Sequence, residues 1–281
     1  MMSEPVRRPG AVWLSASVVF LLLVLGGLWL RSRPAEPTPP SAPVASPPAD
    51  TPTVLAPEAP LQRDALIDAA AIAADAFASG AARTPTNRAL VGRRFELRTV
   101  FGCAGPALPG SAAALRWDYE AETETLRVSA RPETLTSAAW IAPLVGDADV
   151  EAVEGFWIER PWQRSAACPP YRSPLEMPAS LAAPRQTLAL VELFGPEAPR
   201  SIRREGRPYE AVAKMPAPQV AAAQGFALVI EGRLAALPNG EPVWCSSESR
   251  DVRPTCAIAA RIERVRLENV ATSGVLADWR R

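Results

Sequence analysis

Residues 95–103 read Phe95-Glu96-Leu97-Arg98-Thr99-Val100-Phe101-Gly102-Cys103. Phe95, Leu97, Phe101 and Cys103 share one parity, while Glu96 and Arg98 fall on the other. A period of two puts alternate side chains on opposite sides of an extended chain, so the stretch predicts a half-buried strand with Cys103 inward. The pattern recurs downstream. Leu115, Trp117 and Tyr119 alternate up to a polar turn at 120–124, and Leu126 and Val128 resume beyond it, which predicts a hairpin. Residues 150–162 contain GFWIERPW, apolar at both parities around Phe156, Trp157 and Ile158, as in a strand covered on both faces. Further strands are expected at 186–194 and 226–237, with a turn at Pro238-Asn239-Gly240. Residues 256–267 read as one long strand, 269–274 as a turn and 275–279 as a closing strand. The expected fold class is therefore mainly β, a sandwich or open barrel of about eight to ten short strands.

The chain ahead of these strands is organised differently. Residues 11–30, AVWLSASVVFLLLVLGGLWL, run for 20 positions without a charge. That is enough for one helix to cross about 30 Å of hydrocarbon, and Trp13 and Trp29 stand near its ends, where indoles favour the interface. A cleaved signal peptide has a shorter apolar core and a small-x-small site, whereas this run leads into Arg31-Ser32-Arg33-Pro34. We therefore expect an uncleaved transmembrane anchor at 11–30 behind a cytoplasmic tail at 1–10. Residues 31–60 form a Pro-rich linker, with ten prolines in the 27 positions from 34 to 60. Proline blocks helix and ladder bonding and favours an extended spacer.

Residues 61–84 are expected to hold one Ala-rich soluble helix. Asp64, Asp68 and Asp75 fall on one face, Ile67, Ala70, Ala71, Ala74 and Phe77 line the other, and Gly80 is the stop. The remainder, 85–281, is the expected extracytoplasmic β domain.

Composition excludes several chemistries. The 281 residues include no histidine, a single lysine (Lys214), four cysteines and 31 prolines. Without histidine there is no Ser-His-Asp triad, no Cys-His dyad, no His-ligated zinc and no haem on a proximal imidazole. The 30 basic residues balance 30 acidic ones, which argues against a general nucleic-acid binder.

Four cysteines suit an oxidising compartment. Cys245 and Cys256 bracket a loop between two strand-like runs, and proximity favours pairing them and pairing Cys103 with Cys168, although four cysteines allow three connectivities. No CxxC spacing supports a zinc site. The remaining candidates each have a plainer reading. Asp147, Asp149, Glu151 and Glu154 offer hard oxygens, but the calcium-loop pattern wants glycine where Ala152 stands and glutamate where Ile158 stands, so the stretch reads as a charged loop between strands. Arg200, Arg203, Arg204 and Arg207 form a basic patch suited to an anionic lipid or an acidic partner, or simply a solvated turn. Lys214 has no serine near it in sequence for a dyad. Two acids placed about 5 to 10 Å apart are all that glycoside hydrolysis requires, but no pair stands out. We therefore assign no catalytic, cofactor-binding or metal residue and expect no cofactor.

The plan of anchor, Pro-rich spacer and distal domain resembles bitopic envelope proteins such as TonB-like energy transducers and the inner-membrane connector subunits of type II secretion. That likeness is architectural, covers the first 60 residues and transfers no functional residue. The expectation is a single-pass protein of the inner membrane, the arginine bias fitting a Gram-negative source, with its carboxyl-terminal domain in the periplasm. Its partners are the lipid bilayer, through the anchor, and an envelope protein or the cell wall, with no nucleic acid. The β domain is expected to be a non-enzymatic binding or scaffold module. A carboxylate-dependent hydrolase of envelope sugars and a lipid or small-ligand carrier are the alternatives.

Overall fold

The computed structural model describes residues 58–81, 85–145, 149–168, 186–222 and 224–281. The transmembrane segment expected at 11–30 and most of the Pro-rich linker lie outside them. Among the described residues, no helix is long and apolar enough to cross a membrane.

The chain is mainly β, with two sheets. Strands β1 (Arg94–Phe101), β4 (Glu133–Thr134), β5 (Ala152–Trp157), β6 (Leu188–Phe194), β8 (Phe226–Leu234), β9 (Val243–Ser246), β10 (Thr255–Asn269) and β11 (Val275–Arg280) form the larger. Strands β2 (Leu115–Glu120), β3 (Thr125–Ala130) and β7 (Tyr209–Lys214) form the smaller, in the order β2-β3-β7. The expected hairpin is β2–β3, paired from Leu115↔Ala130 to Glu120↔Thr125.

The long strand expected at 256–267 is β10, and it organises the larger sheet. Its first residues lie between β6, running parallel, and β9, running antiparallel. From Ala260 onward it pairs with β8, and from Arg264 with β11 as well, antiparallel to both. The handover contains a bulge between Ile262 and Arg264 opposite Gly232 and Glu231. Before the bulge Ile258, Ala260 and Ile262 are buried, and after it Val265 and Leu267 are. Glu263, the extra residue, shifts the alternation by one, so all five reach the same apolar cluster. A strand of unbroken period would have turned Val265 and Leu267 to the other side.

That cluster draws on both sheets. It joins Phe95 and Leu97 of β1, Phe226 and Leu228 of β8, and Leu126 and Val128 of β3. A second cluster, with Val153, Ala189 and Val191, covers the opposite face of β5, β6 and the start of β10. The segment 150–162 is thus covered on both sides: Phe156 and Ile158 enter the first cluster and Val153 the second. The sheets also meet at Tyr209 of β7, whose ring packs edge-on to Trp279 of β11 with centroids 5.1 Å apart.

The soluble helix is α1 (Arg63–Ser79), ended by Gly80 in the left-handed region at φ 67°. Its buried face is rotated from the expected one. Leu66, Ala69 and Ala70 are buried, whereas Ala71 is exposed, because helix contact is made with β9 and β10 along the row that contains Leu66 and Ala73. Asp68 is not simply solvated either, since it forms an ion pair with Arg164. Ahead of the helix, Leu61 exchanges backbone bonds of 2.8 Å with Arg94 and Glu96. This covers part of the outer edge of β1, which would otherwise be open to strand addition. Short helices α2 (Pro85–Arg88), α3 (Ala142–Val145) and α4 (Ala217–Ala222) complete the elements.

Cys103 corrects one expectation. Strand β1 ends at Phe101, and Gly102, at φ 68°, turns the chain. Cys103 then packs with Val100, Ala227 and Val229 rather than with Phe95 and Leu97. A straight strand would have kept the parity, and the left-handed residue broke it.

Candidate functional site

The acidic stretch and the basic run, separated by about fifty residues in sequence, meet in the structure. Asp147 lies outside the described residues and Asp149 is exposed. Glu151 accepts a bond of 2.9 Å from Nη2 of Arg203, and this bond holds its carboxyl below the ordinary carboxylate range. Arg203 is buried, donates also to the Gly195 carbonyl at 3.0 Å and lies over the Phe194 ring. Arg204 stacks on Tyr209, its guanidinium carbon 4.3 Å from the ring centroid. Arg207 donates to the carbonyls of Arg203 and Arg204 at 3.0 Å. Three of the four arginines of the basic run are therefore bound up in folding their own loop.

Glu154 departs furthest from its sequence reading. It belongs not to a loop but to β5, and it is 5% exposed. Its two carboxylate oxygens accept the backbone N–H groups of Arg204 at 2.8 Å and Glu205 at 2.7 Å. Glu205 adopts φ 52°, so successive amides converge on one anion in a nest. Glu154 is the acid that anchors the arginine loop to the sheet.

Its register partner across β5 and β6 is a second buried acid, Glu192, 8% exposed. Glu192 accepts the Ile262 N–H at 3.3 Å and forms an ion pair with Arg281, whose Nη2 donates to the Tyr209 hydroxyl at 3.3 Å. Burial pushes the Glu192 carboxyl above its ordinary range, against the opposing pull of Arg281. Two facing carboxylates are what glycoside hydrolysis would need. The space they border measures only about 10 Å³. That is room for roughly one water and none for a sugar ring.

Lys214 closes the β2–β3 hairpin. Its Nζ donates to the Thr123 carbonyl and to Thr125 Oγ1, the latter at 3.1 Å. The cysteines pair as proximity suggested, Cys103 with Cys168 and Cys245 with Cys256, and none of the four is free. Cys245 and Cys256 are register partners on β9 and β10, so the second bridge staples two neighbouring strands. Among the described residues, no cluster of three or more acids or cysteines could hold a metal ion.

One cleft was not foreshadowed by any motif. It measures about 250 Å³ and lies between the carboxyl-terminal half of α1 and β9. Ala73 and Phe77 form its apolar wall, and Asn87, Glu241, Trp244 and Arg250 supply polar groups. Glu241 is buried and paired with Arg88 at 2.7 Å. Asn87 donates through Nδ2 to the Ala69 carbonyl at 3.0 Å, while its Oδ1 and the Nε1 of Trp244 are buried without partners among the described residues. These residues come from four separate segments, so no local spacing could have signalled them.

Comparison with known protein families, with curated proteins and with solved structures found no match for the chain.

Proposed function

We propose that the chain is a single-pass protein of a bacterial inner membrane whose periplasmic β domain is a non-enzymatic binding or scaffold module. The observation that carries this reading is the uncharged apolar run at 11–30, followed by a Pro-rich spacer and a disulfide-bonded domain. A helix of that length spans hydrocarbon, the spacer holds the domain off the surface, and two disulfides suit an oxidising space. The fate of the candidate acids supports the non-enzymatic part. Glu154 and Glu151 are occupied by the arginine loop, and Glu192 by Arg281. The carrier alternative needs a hollow core, whereas the core here is filled by side chains such as Phe95, Phe226 and Leu126. The partner on this reading is an envelope protein or the cell wall.

The test is topological. A reporter active only outside the cytoplasm, fused after Arg281, is expected to be active, and the mature protein to retain residues 1–30. An inactive reporter, or a mature mass that begins beyond residue 30, sinks the reading.

A further inference from the structure

We propose that the cleft between α1 and β9 binds the carboxyl terminus of a peptide: a free carboxylate, the amide next to it and a small apolar side chain. The inference is independent of where the chain sits in the cell.

The carboxylate is assigned from charge. Glu241 is matched by Arg88, so the acid of the cleft is already neutralised. Arg250 is a second cation, exposed, and among the described residues no ion pair or hydrogen bond engages its guanidinium. It is held at the mouth by Gly80: a Cβ on that glycine would lie 2.2 Å from Nη1 of Arg250. Among the described residues the cleft therefore carries one positive charge in excess. A planar guanidinium that is free on one side takes a carboxylate by charge-assisted bonds.

The amide is assigned from two orphaned atoms. Asn87 is 4% exposed, and its Nδ2 is committed to the Ala69 carbonyl, which can only accept. This fixes the side-chain orientation and leaves Oδ1 as an acceptor in need of a donor. Trp244 Nε1 is a donor in need of an acceptor. Buried polar groups are nearly always bonded, so an orphaned acceptor and an orphaned donor beside one cleft mark an incomplete site. A peptide unit presents an N–H and a C=O together and satisfies both. Both atoms are covered in the ligand-free structure, so binding is accompanied by a shift of the Asn87 and Trp244 side chains.

The side chain is assigned from the wall and the volume. Ala73, Ala76, Phe77 and Val243 are apolar, and about 250 Å³ is less than drug-sized ligands usually occupy. A phosphate ester offers no donor to Asn87. A neutral sugar offers no charge to Arg250 and gains little from the apolar wall.

The probe is N-acetyl-Ala-Ala as the free acid, titrated into the full chain in detergent micelles with ¹⁵N-labelled tryptophan, beside its methyl ester and galacturonate. The Trp244 indole resonance is identified by its loss in Trp244→Phe. The free acid should shift that resonance saturably, and the ester should bind at least tenfold more weakly. Arg250→Ala, at an exposed position, should leave the spectrum folded and weaken binding of the acid at least tenfold. Absence of saturable binding, equal binding of acid and ester, or undiminished binding by the Arg250→Ala variant overturns the proposal. Saturable binding of galacturonate in place of the dipeptide overturns the assignment to a peptide.

Discussion

Glu154 and Glu192 face each other as register partners on β5 and β6, two buried carboxylates held by different means. Glu154 is held by backbone amides from the arginine loop, and Glu192 by a guanidinium and the amide of Ile262. The difference makes their substitutions behave differently.

For Glu154, an amide is a poor substitute. Both carboxylate oxygens accept N–H groups, and glutamine turns one of them into a donor. One backbone amide then loses its partner, which costs about 1–3 kcal/mol. Glu154→Gln should lower the denaturation midpoint, whereas Glu210→Gln, at the exposed pair with Arg127, should move it little. Chemical denaturation of both variants checks this, and equal midpoints would refute the anchoring role.

For Glu192, the test is a pH profile. Its folded carboxyl sits above the unfolded value, so the folded state binds the proton more readily. The stability it contributes is fully present below the unfolded pKa of about 4.3 and is lost as pH rises through the folded value. Glu192→Gln removes that loss. Glu151 and Asp278, whose carboxyls are held low by Arg203 and Arg264, act in the opposite sense but are common to both proteins. The melting temperature of Glu192→Gln minus that of the wild type should become more positive from pH 4 to neutrality. Parallel curves would contradict the shift.

Gly232 lies where β10 changes neighbours. A Cβ there would stand 2.1 Å from the Arg261 carbonyl oxygen and 3.2 Å from Ile262 Cα, both backbone atoms that cannot swing aside. Gly232→Ala should destabilise the domain by about 1–3 kcal/mol or more, as overpacking does. A variant that melts like the wild type would show that the strands are free to separate at the bulge.

Non-reducing peptide mapping should link Cys103 to Cys168 and Cys245 to Cys256 and find no free thiol. The first bridge spans 65 positions and the second 11. By the chain-entropy argument, replacing the first pair with alanines should cost about 4 kcal/mol and the second about 3. Four alkylatable thiols in the native protein would refute both bridges.

Where many of the strands lie along the chain was legible because alternation survives wherever one face is buried. The β2–β3 hairpin, the doubly covered β5, the long β10 and the Gly80 stop were all readable from local pattern. The β count was near, with eleven strands among the described residues. What escaped was non-local. Strand β7, Tyr209–Lys214, sets Tyr209, Ala211 and Ala213 against Glu210, Val212 and Lys214, and its weak apolar signal was masked by the arginines before it. The bulge at Glu263 is one inserted residue where the apolar positions change parity, from Ile258, Ala260 and Ile262 to Val265 and Leu267, within what reads as a single long strand. Glu154 looked like one of a run of acids because its partners lie about fifty positions away. The cleft residues share no motif at all.

Strand β10 also sets a schedule. It touches β6, β8, β9 and β11, and it begins at Thr255, late in the chain. Until it emerges from the ribosome, β6 has only β5 beside it and β8 only β1. The larger sheet therefore cannot close during most of synthesis, and non-local pairing of this kind is slow. A polypeptide whose larger sheet stays open until Thr255 and the residues after it are made remains threadable through a narrow channel. On the proposed periplasmic reading, the late arrival of this one strand favours export before folding.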